Sequence, residues 1–294
     1  MIHPAFVAAH VTNSEDPLLP RPAFHHSFLR PSIRRSVALL SFITLAAASL
    51  AAAQTAELPD APTDQSVANP DEPPVTLRNS PGHILHDQAA IWTSPARIRT
   101  HDLVWLVPLA GAGAAALATD RRAMRDVVTH DATFNPDSIN ASNILIGSYI
   151  AVPVGLFAYG HAAADDHARE AGILSGEALI DGVVVEQGLK LVFWRERPGV
   201  DDYRGRFFQS SVGVDSSFPS SHSVLAWAAA AELSGEFPSR WKQVGFYTAA
   251  TAVSVSRVLG QQHFPGDVLA GAAAGWLVGH YVFRAHHHHP IAGH

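Results

Sequence analysis

Apolar and polar positions in this chain come in long blocks rather than in strand-like alternation. Residues 103–119 are apolar and rich in alanine and glycine, and Asp120, Arg121 and Arg122 close the block. Residues 144–160 form a second such block. Residues 171–194 follow a helical pattern but carry Glu177, Asp181 and Glu186, and residues 221–234, 244–259 and 268–283 complete the series. Period-two patterning is nearly absent, so the chain is expected to be all-α, a bundle of about six helices. Glu177 and Asp181 are four apart and share one helix face, which either lines a polar cavity or faces solvent. A membrane span needs about 20 apolar residues, and these blocks are shorter. The mean hydropathy of +0.09 is low for a protein that spans repeatedly. Small residues permit close helix packing in either setting, and membrane association is the favoured expectation.

The flanks read differently. Arg30, Arg34 and Arg35 precede an unbroken run of apolar or small residues at 36–53, ending Ala51-Ala52-Ala53. Positive charge, a hydrophobic stretch and a small-residue exit mark a secretory signal peptide or an N-terminal anchor, here behind a long leader. Residues 54–95 are rich in proline, aspartate and small polar residues, so a flexible linker is expected there. The helical domain then occupies 96–285 and a histidine-rich tail 286–294, where His286 to His289 are able to take up metal adventitiously.

Composition narrows the classes. Hydrophobic residues make up 47% of the chain and charged ones only 16%, against about a quarter charged in soluble domains, which points to buried or membrane-facing helices. A net charge of −6 without a basic stripe argues against nucleic acid. The absence of cysteine excludes disulfides, thiolate metal sites and a cysteine nucleophile. No protein partner is evident.

Three clusters in the second half carry the chemistry. They are Lys190 with Arg197-Pro198, then Pro219-Ser220-Ser221-His222, then Ser256-Arg257 with His263 and Asp267. Their helical context predicts that they meet. Lys190 and Arg197 are placed on the end of a helix closed by Pro198, because a residue before proline avoids helical angles. Ser220 and His222 begin the next helix, Arg257 ends the one after, and His263 and Asp267 flank the start of the last, with Pro265 suited to a first turn. In an antiparallel bundle these ends lie on one side, at the mouth of a four-helix core. A helix start at Ser220-Ser221 offers free N–H groups and the positive end of the dipole, a natural anion site. Lys190, Arg197 and Arg257 add charge suited to phosphate oxygens.

The patterns Lys-x6-Arg-Pro and Ser-Arg-x5-His-x3-Asp around Pro-Ser-x-His resemble the type 2 phosphatidic acid phosphatase and vanadium haloperoxidase superfamily, over about residues 171–283. The resemblance implies that His263 is a nucleophile giving a phosphohistidine, that Asp267 orients and supports His263, and that His222 is the general acid. It also implies that Lys190, Arg197, Ser220, Ser221 and Arg257 bind phosphate, with no metal and no cofactor at the site. Ser221 departs from the pattern, standing where glycine is usual, and brings a side chain towards the phosphate. Singly, Ser220 is equally an N-cap, Asp267 a first-turn acid and Lys190 a snorkelling residue. Arg195, Arg204 and Arg206, near the first cluster, read as solvated loop charges or, as the second choice, as groups that meet an anionic substrate, and Trp194 and Tyr281 as interface or packing residues.

The function implied is a metal-independent phosphatase acting on a phosphomonoester or diphosphate, of a lipid such as phosphatidic acid, an isoprenyl diphosphate or a lipid A phosphate. It would be exported and work in the cell envelope, outside the cytoplasm. The alternatives are a soluble periplasmic acid phosphatase of broad range acting on small phosphoesters, a haloperoxidase holding vanadate in the same pocket, and a non-catalytic envelope protein with a vestigial site.

Overall fold

The computed structural model describes residues 75–287 apart from residue 212. The expected leader and signal segment, the first part of the linker and residues 288–294 lie outside the described residues. Seven α-helices and no strand occur among the described residues, so the all-α expectation holds. They are α1 (Ser80–Thr93), α2 (Leu103–Arg122), α3 (Phe134–Ala163), α4 (Asp166–Phe193), α5 (Ser221–Glu236), α6 (Arg240–Leu259) and α7 (Pro265–His286).

Helix α5 is the axis of the bundle. Ala226, Ala228, Ala229, Ala230 and Leu233 are wholly buried, as expected of a helix apolar on every side. Against it lies α7, whose Gly271, Gly275 and Gly279 recur every fourth residue on one face. A Cβ on Gly275 would fall 2.2 Å from the Val224 carbonyl oxygen, and one on Gly279 2.0 Å from that of Ala228. Only glycine lets two backbones approach so closely. This contact sets the register of the site, because at its upper end the Ser220 N–H donates to the Asp267 carbonyl at 3.1 Å. On the other side Ile146 and Tyr149 of α3 pack with Trp227 of α5 and with Ala250 and Val253 of α6. The Tyr149 hydroxyl donates to the Phe246 carbonyl and ties α3 to α6.

Three boundaries differ from expectation. The linker does not run to residue 95, because α1 begins at Ser80. Pro81 sits in its first turn, where a missing N–H costs nothing. Helix α4 ends at Phe193 rather than at Pro198, because Trp194 turns left-handed (φ 38°, ψ 52°) and its N–H closes on the Lys190 carbonyl. Arg197 therefore lies in a loop. The tail does not begin at 286 either: His286 ends α7 buried, with Nε2 2.9 Å from both Asp87 carboxylate oxygens. His287 meets Glu236 at 2.8 Å.

Glu177, Asp181 and Glu186 point inward and are buried, which decides between the two readings of that face. Outside, α2 and α3 present Val104, Val107, Ile144 and Val154 to the surroundings. Each lies in a helical stretch long and apolar enough to cross a membrane, over Thr100–Val127 and Phe134–Ala163.

Candidate active site

The ends of α4 and α6 and the starts of α5 and α7 converge as the sequence predicts. His222 lies in the field of Arg257, His263, Lys190 and Arg197, so five of the expected groups share one mouth.

Lys190 is buried, not snorkelling, and pairs with Glu186 one turn earlier, Nζ to Oε1 3.1 Å. Burial lowers the Lys190 ammonium pKa while Glu186 pulls it back up. Glu186 Oε1 also accepts the Ser221 hydroxyl at 2.6 Å. The side chain that replaces the usual glycine is thus engaged with α4 instead of being directed at phosphate. Arg257 donates to the Ser142 hydroxyl at 3.2 Å, and burial lowers its guanidinium pKa to about 10. Arg197 sits at the rim, held by the Asp215 carboxylate at 2.5 Å and by the carbonyls of Asp215 and Gln262.

Two polar groups in this shell are orphaned. Ser220 Oγ and Arg257 Nε are buried without a hydrogen-bond partner. Ser220 occupies the N-cap position of α5, yet its hydroxyl makes no cap bond, so capping does not account for it. Leaving a buried donor unmet costs about 1–3 kcal/mol, more for a charged one. An anion above the first turn of α5, where free N–H groups collect, would satisfy both.

The two histidines are differently held. His263 Nδ1 lies 2.8 Å from the Ser217 carbonyl, which can only accept, so Nδ1 carries the proton and Nε2 keeps its lone pair. Asp267 Oδ2 is 3.8 Å from Nδ1, too far to hydrogen-bond, and supports the ring by charge alone. The expected orienting role therefore passes to the Ser217 backbone. Burial lowers the His263 pKa to about 4 against the opposing pull of Asp267. His222 Nε2 meets Asn143 Oδ1 at 3.0 Å. Burial, then the nearby Arg257, His263, Lys190 and Arg197, lowers its pKa to about 4 as well.

Asp267 has other work. It accepts the Ser217 hydroxyl at 2.6 Å, the Phe264 N–H at 2.9 Å and Arg195 at 2.6 Å. Arg195 is a correction to the sequence reading: it is buried, bridges Asp267 and Asp120 of α2, and has the rings of Phe207 and Phe264 against its guanidinium. Asp120 in turn accepts the Gly266 N–H at 2.8 Å, at the start of α7. Arg204 and Arg206 pair with Asp201 and Glu196 in the exposed loop.

Sequence reasoning also missed Asn143 and Ser142 of α3, Asp120 of α2, and Ser217. The first two lie in a polar stretch at the start of α3 with Asn135, Asp137, Ser138 and Asn140, and nothing in the sequence singles them out. Ser217 acts through its carbonyl, which no residue type announces.

Residues 171–290 match the sequence model of the PAP2 superfamily. A 65-residue stretch is 43% identical to a lipid A 1-phosphatase of Porphyromonas gingivalis, covering 21% of this chain. The chain spans only 15% of that curated relative's length. No solved structure matches the chain significantly. Motif order, bundle geometry and the matched segment agree in making residues 171–290 similar to the PAP2 superfamily.

Proposed function

We propose that the protein is a phosphatase that removes a phosphate from a lipid phosphomonoester or diphosphate through a phosphohistidine on His263, without a metal at the reacting centre. The observation that carries this reading is the His263 ring: its Nδ1 proton is fixed on the Ser217 carbonyl, its Nε2 keeps the lone pair, and Arg197 and Arg257 lie close enough to act on it.

In the first step Nε2 of His263 attacks phosphorus in line as the bond to the leaving oxygen breaks, and the His222 proton passes to that oxygen. Charge on the three equatorial oxygens is met by Lys190, Arg197, Arg257, Ser220 Oγ and the first-turn amides of α5. The imidazolium formed at His263 is stabilised by Asp267 across 3.8 Å. In the second step His222 takes a proton from water, whose oxygen attacks phosphorus as the P–N bond breaks, releasing inorganic phosphate and restoring both rings. The acids near the mouth are already engaged, Glu186 by Lys190 and Ser221, Asp267 by Arg195. The donors left facing the centre are cations and amides, a set built for an anion rather than for a metal ion.

Lipid as substrate is supported by the apolar outer faces of α2 and α3, in two helical stretches long and apolar enough to cross a membrane. The matched relative, a lipid A 1-phosphatase, points the same way. Export to the cell envelope, with the mouth outside the cytoplasm, completes the proposal. The test is phosphate release in detergent from phosphatidic acid and from a small soluble phosphomonoester, by wild type and by His263→Ala. Lipid turnover lost in the variant supports the reading. Turnover of the soluble ester alone moves the protein to broad-range acid phosphatases, and turnover of neither sinks it.

A further inference from the structure

Away from the mouth, the bundle holds a second polar cluster that phosphate chemistry does not use. His83 and Asp87 are four apart on α1, and Glu177 and Asp181 four apart on α4, so each pair shares a face. His286 closes the cluster from the end of α7. Glu177 lies 13 residues before Lys190, about 20 Å away along α4.

The cluster has features that packing alone does not explain. Asp87, Glu177 and Asp181 are all buried, and none forms an ion pair with lysine or arginine among the described residues. Three buried carboxylates without such a partner carry a large desolvation cost. Glu177 meets only His83 Nδ1, at 3.3 Å from each oxygen. Asp181 Oδ1 accepts from Gln88 at 2.8 Å, while its Oδ2 is buried with no partner at all. The His83 and His286 rings stack at 4.4 Å and 13°, a geometry that two imidazolium ions would disfavour and two neutral ligands would not. One ligand atom from each of His83, Glu177 and His286 lies within 4.8 Å of the others.

We propose that His83, Glu177 and His286 bind one divalent transition-metal ion, for which Zn2+ is the best match, with the Asp181 carboxylate, whose Oδ2 is unpartnered, nearby to balance its charge. Two imidazoles and one carboxylate, with a water in the fourth position, form a nitrogen–oxygen donor set that zinc takes, each donor about 2 Å from the ion. Asp87, both of whose oxygens are 2.9 Å from His286 Nε2, supplies the carboxylate behind a ligand that metal-bound histidines carry. The ion's two charges offset the buried acids. It clasps α1 to α4 and to the end of α7, a structural role independent of the phosphate site.

The test uses full-length protein in detergent, stripped with chelator, reloaded with Zn2+ and desalted before metal analysis. A second trio, Glu170, Glu236 and His287, also has ligand atoms within reach, and the C-terminal histidines bind zinc adventitiously. The readout is therefore the difference between wild type and the variants Glu177→Gln and His83→Ala, which leave both features intact. Wild type should retain one more zinc per chain than either variant. Zinc should raise the melting temperature of stripped wild type by at least 5 °C and that of the variants by less than 1 °C. Co2+ should give visible bands of a four-coordinate site in wild type only. Phosphate release below the melting transition should be unchanged by stripping, which separates this proposal from the catalytic one. Equal zinc content and equal melting shifts in wild type and variants would overturn it, as would a wild type that retains no zinc. Should Glu177→Gln fold poorly, His83→Ala on the peripheral α1 carries the comparison.

Discussion

The Ser217 carbonyl oxygen lies 2.8 Å from His263 Nδ1 and decides which nitrogen of that ring carries the proton and which keeps a lone pair. Because the acceptor is backbone, it depends on where the 216–219 segment runs rather than on a side chain. That path is held by the Ser217 hydroxyl on Asp267 and by the Ser217 N–H on the Arg195 carbonyl. Ser217→Ala should therefore keep the carbonyl contact but loosen it. The expected result is a fall in kcat of about tenfold with KM nearly constant, the sign of an interaction that matters in the transition state. Steady-state kinetics on a phosphorylated lipid would check this.

Arg195 is the keystone of the orienting shell. Removing it leaves Asp120 and Asp267 buried without their shared cation, and breaking such a pair costs about 3–5 kcal/mol. Arg195→Gln should lower the melting temperature sharply and reduce kcat. Pairing it with Asp120→Asn should recover part of the stability, since one orphaned charge is then removed. Thermal melts of the two single variants and the double variant measure the coupling. Additive losses would contradict the bridge.

The contrast between these two residues shows what the sequence makes legible. Helix positions and the convergence of Lys190, Arg197, His222, Arg257 and His263 follow from apolar blocks and from start and stop signals, which are local. Arg195 was misread as a loop charge because its burial depends on Trp194 turning left-handed and on an aspartate 75 residues away. Helix α1 falls inside the expected linker because that expectation rests on composition rich in proline, aspartate and small polar residues. Yet proline in a first turn is equally a helix start, and only packing on α4 distinguishes the two. The inward acids of α4 were ambiguous for the same reason, since periodicity gives a face but not what covers it.

Both histidines sit near pKa 4 in the free protein. His263 must be neutral to attack, so activity is lost as pH falls through about 4. His222 must be protonated to serve the leaving group, so kcat/KM falls as pH rises above its own depressed value. A bound phosphate offsets the charge of Lys190, Arg197 and Arg257, which relieves the part of the His222 depression that these cations add to burial. The alkaline limb of kcat should therefore lie at higher pH than that of kcat/KM. Full pH profiles of both constants test this, and coincident alkaline limbs would count against His222 as the acid.

The glycine face of α7 predicts a coupled loss. A methyl at Gly279 would meet the Ala228 carbonyl oxygen at 2.0 Å, so Gly279→Ala must push α7 off α5. Overpacking of this kind costs about 1–3 kcal/mol. Activity should fall too, because α5 carries Ser220 and His222 while α7 carries Asp267. By contrast Gly111→Ala, which meets nothing within 4 Å, should leave both unchanged. Melting and turnover of the two variants check the difference.

Ser221→Gly restores the residue usual at that position and removes the hydroxyl from Glu186. If that hydroxyl serves α4 and not phosphate, KM should stay within about threefold, while stability drops by about 1–2 kcal/mol for the lost bond to a buried carboxylate. A tenfold rise in KM would place the hydroxyl on the substrate instead.

The most direct test of the account is to trap the covalent intermediate. Full-length protein in detergent would be mixed with phosphatidic acid labelled in its phosphate, quenched in alkali within milliseconds and mapped by peptide. The account predicts label on His263, stable to alkali and labile to acid, absent from His263→Ala and accumulating when His222→Ala slows its hydrolysis. Phosphate release that proceeds in wild type with no label on His263, or turnover that survives His263→Ala, would contradict it.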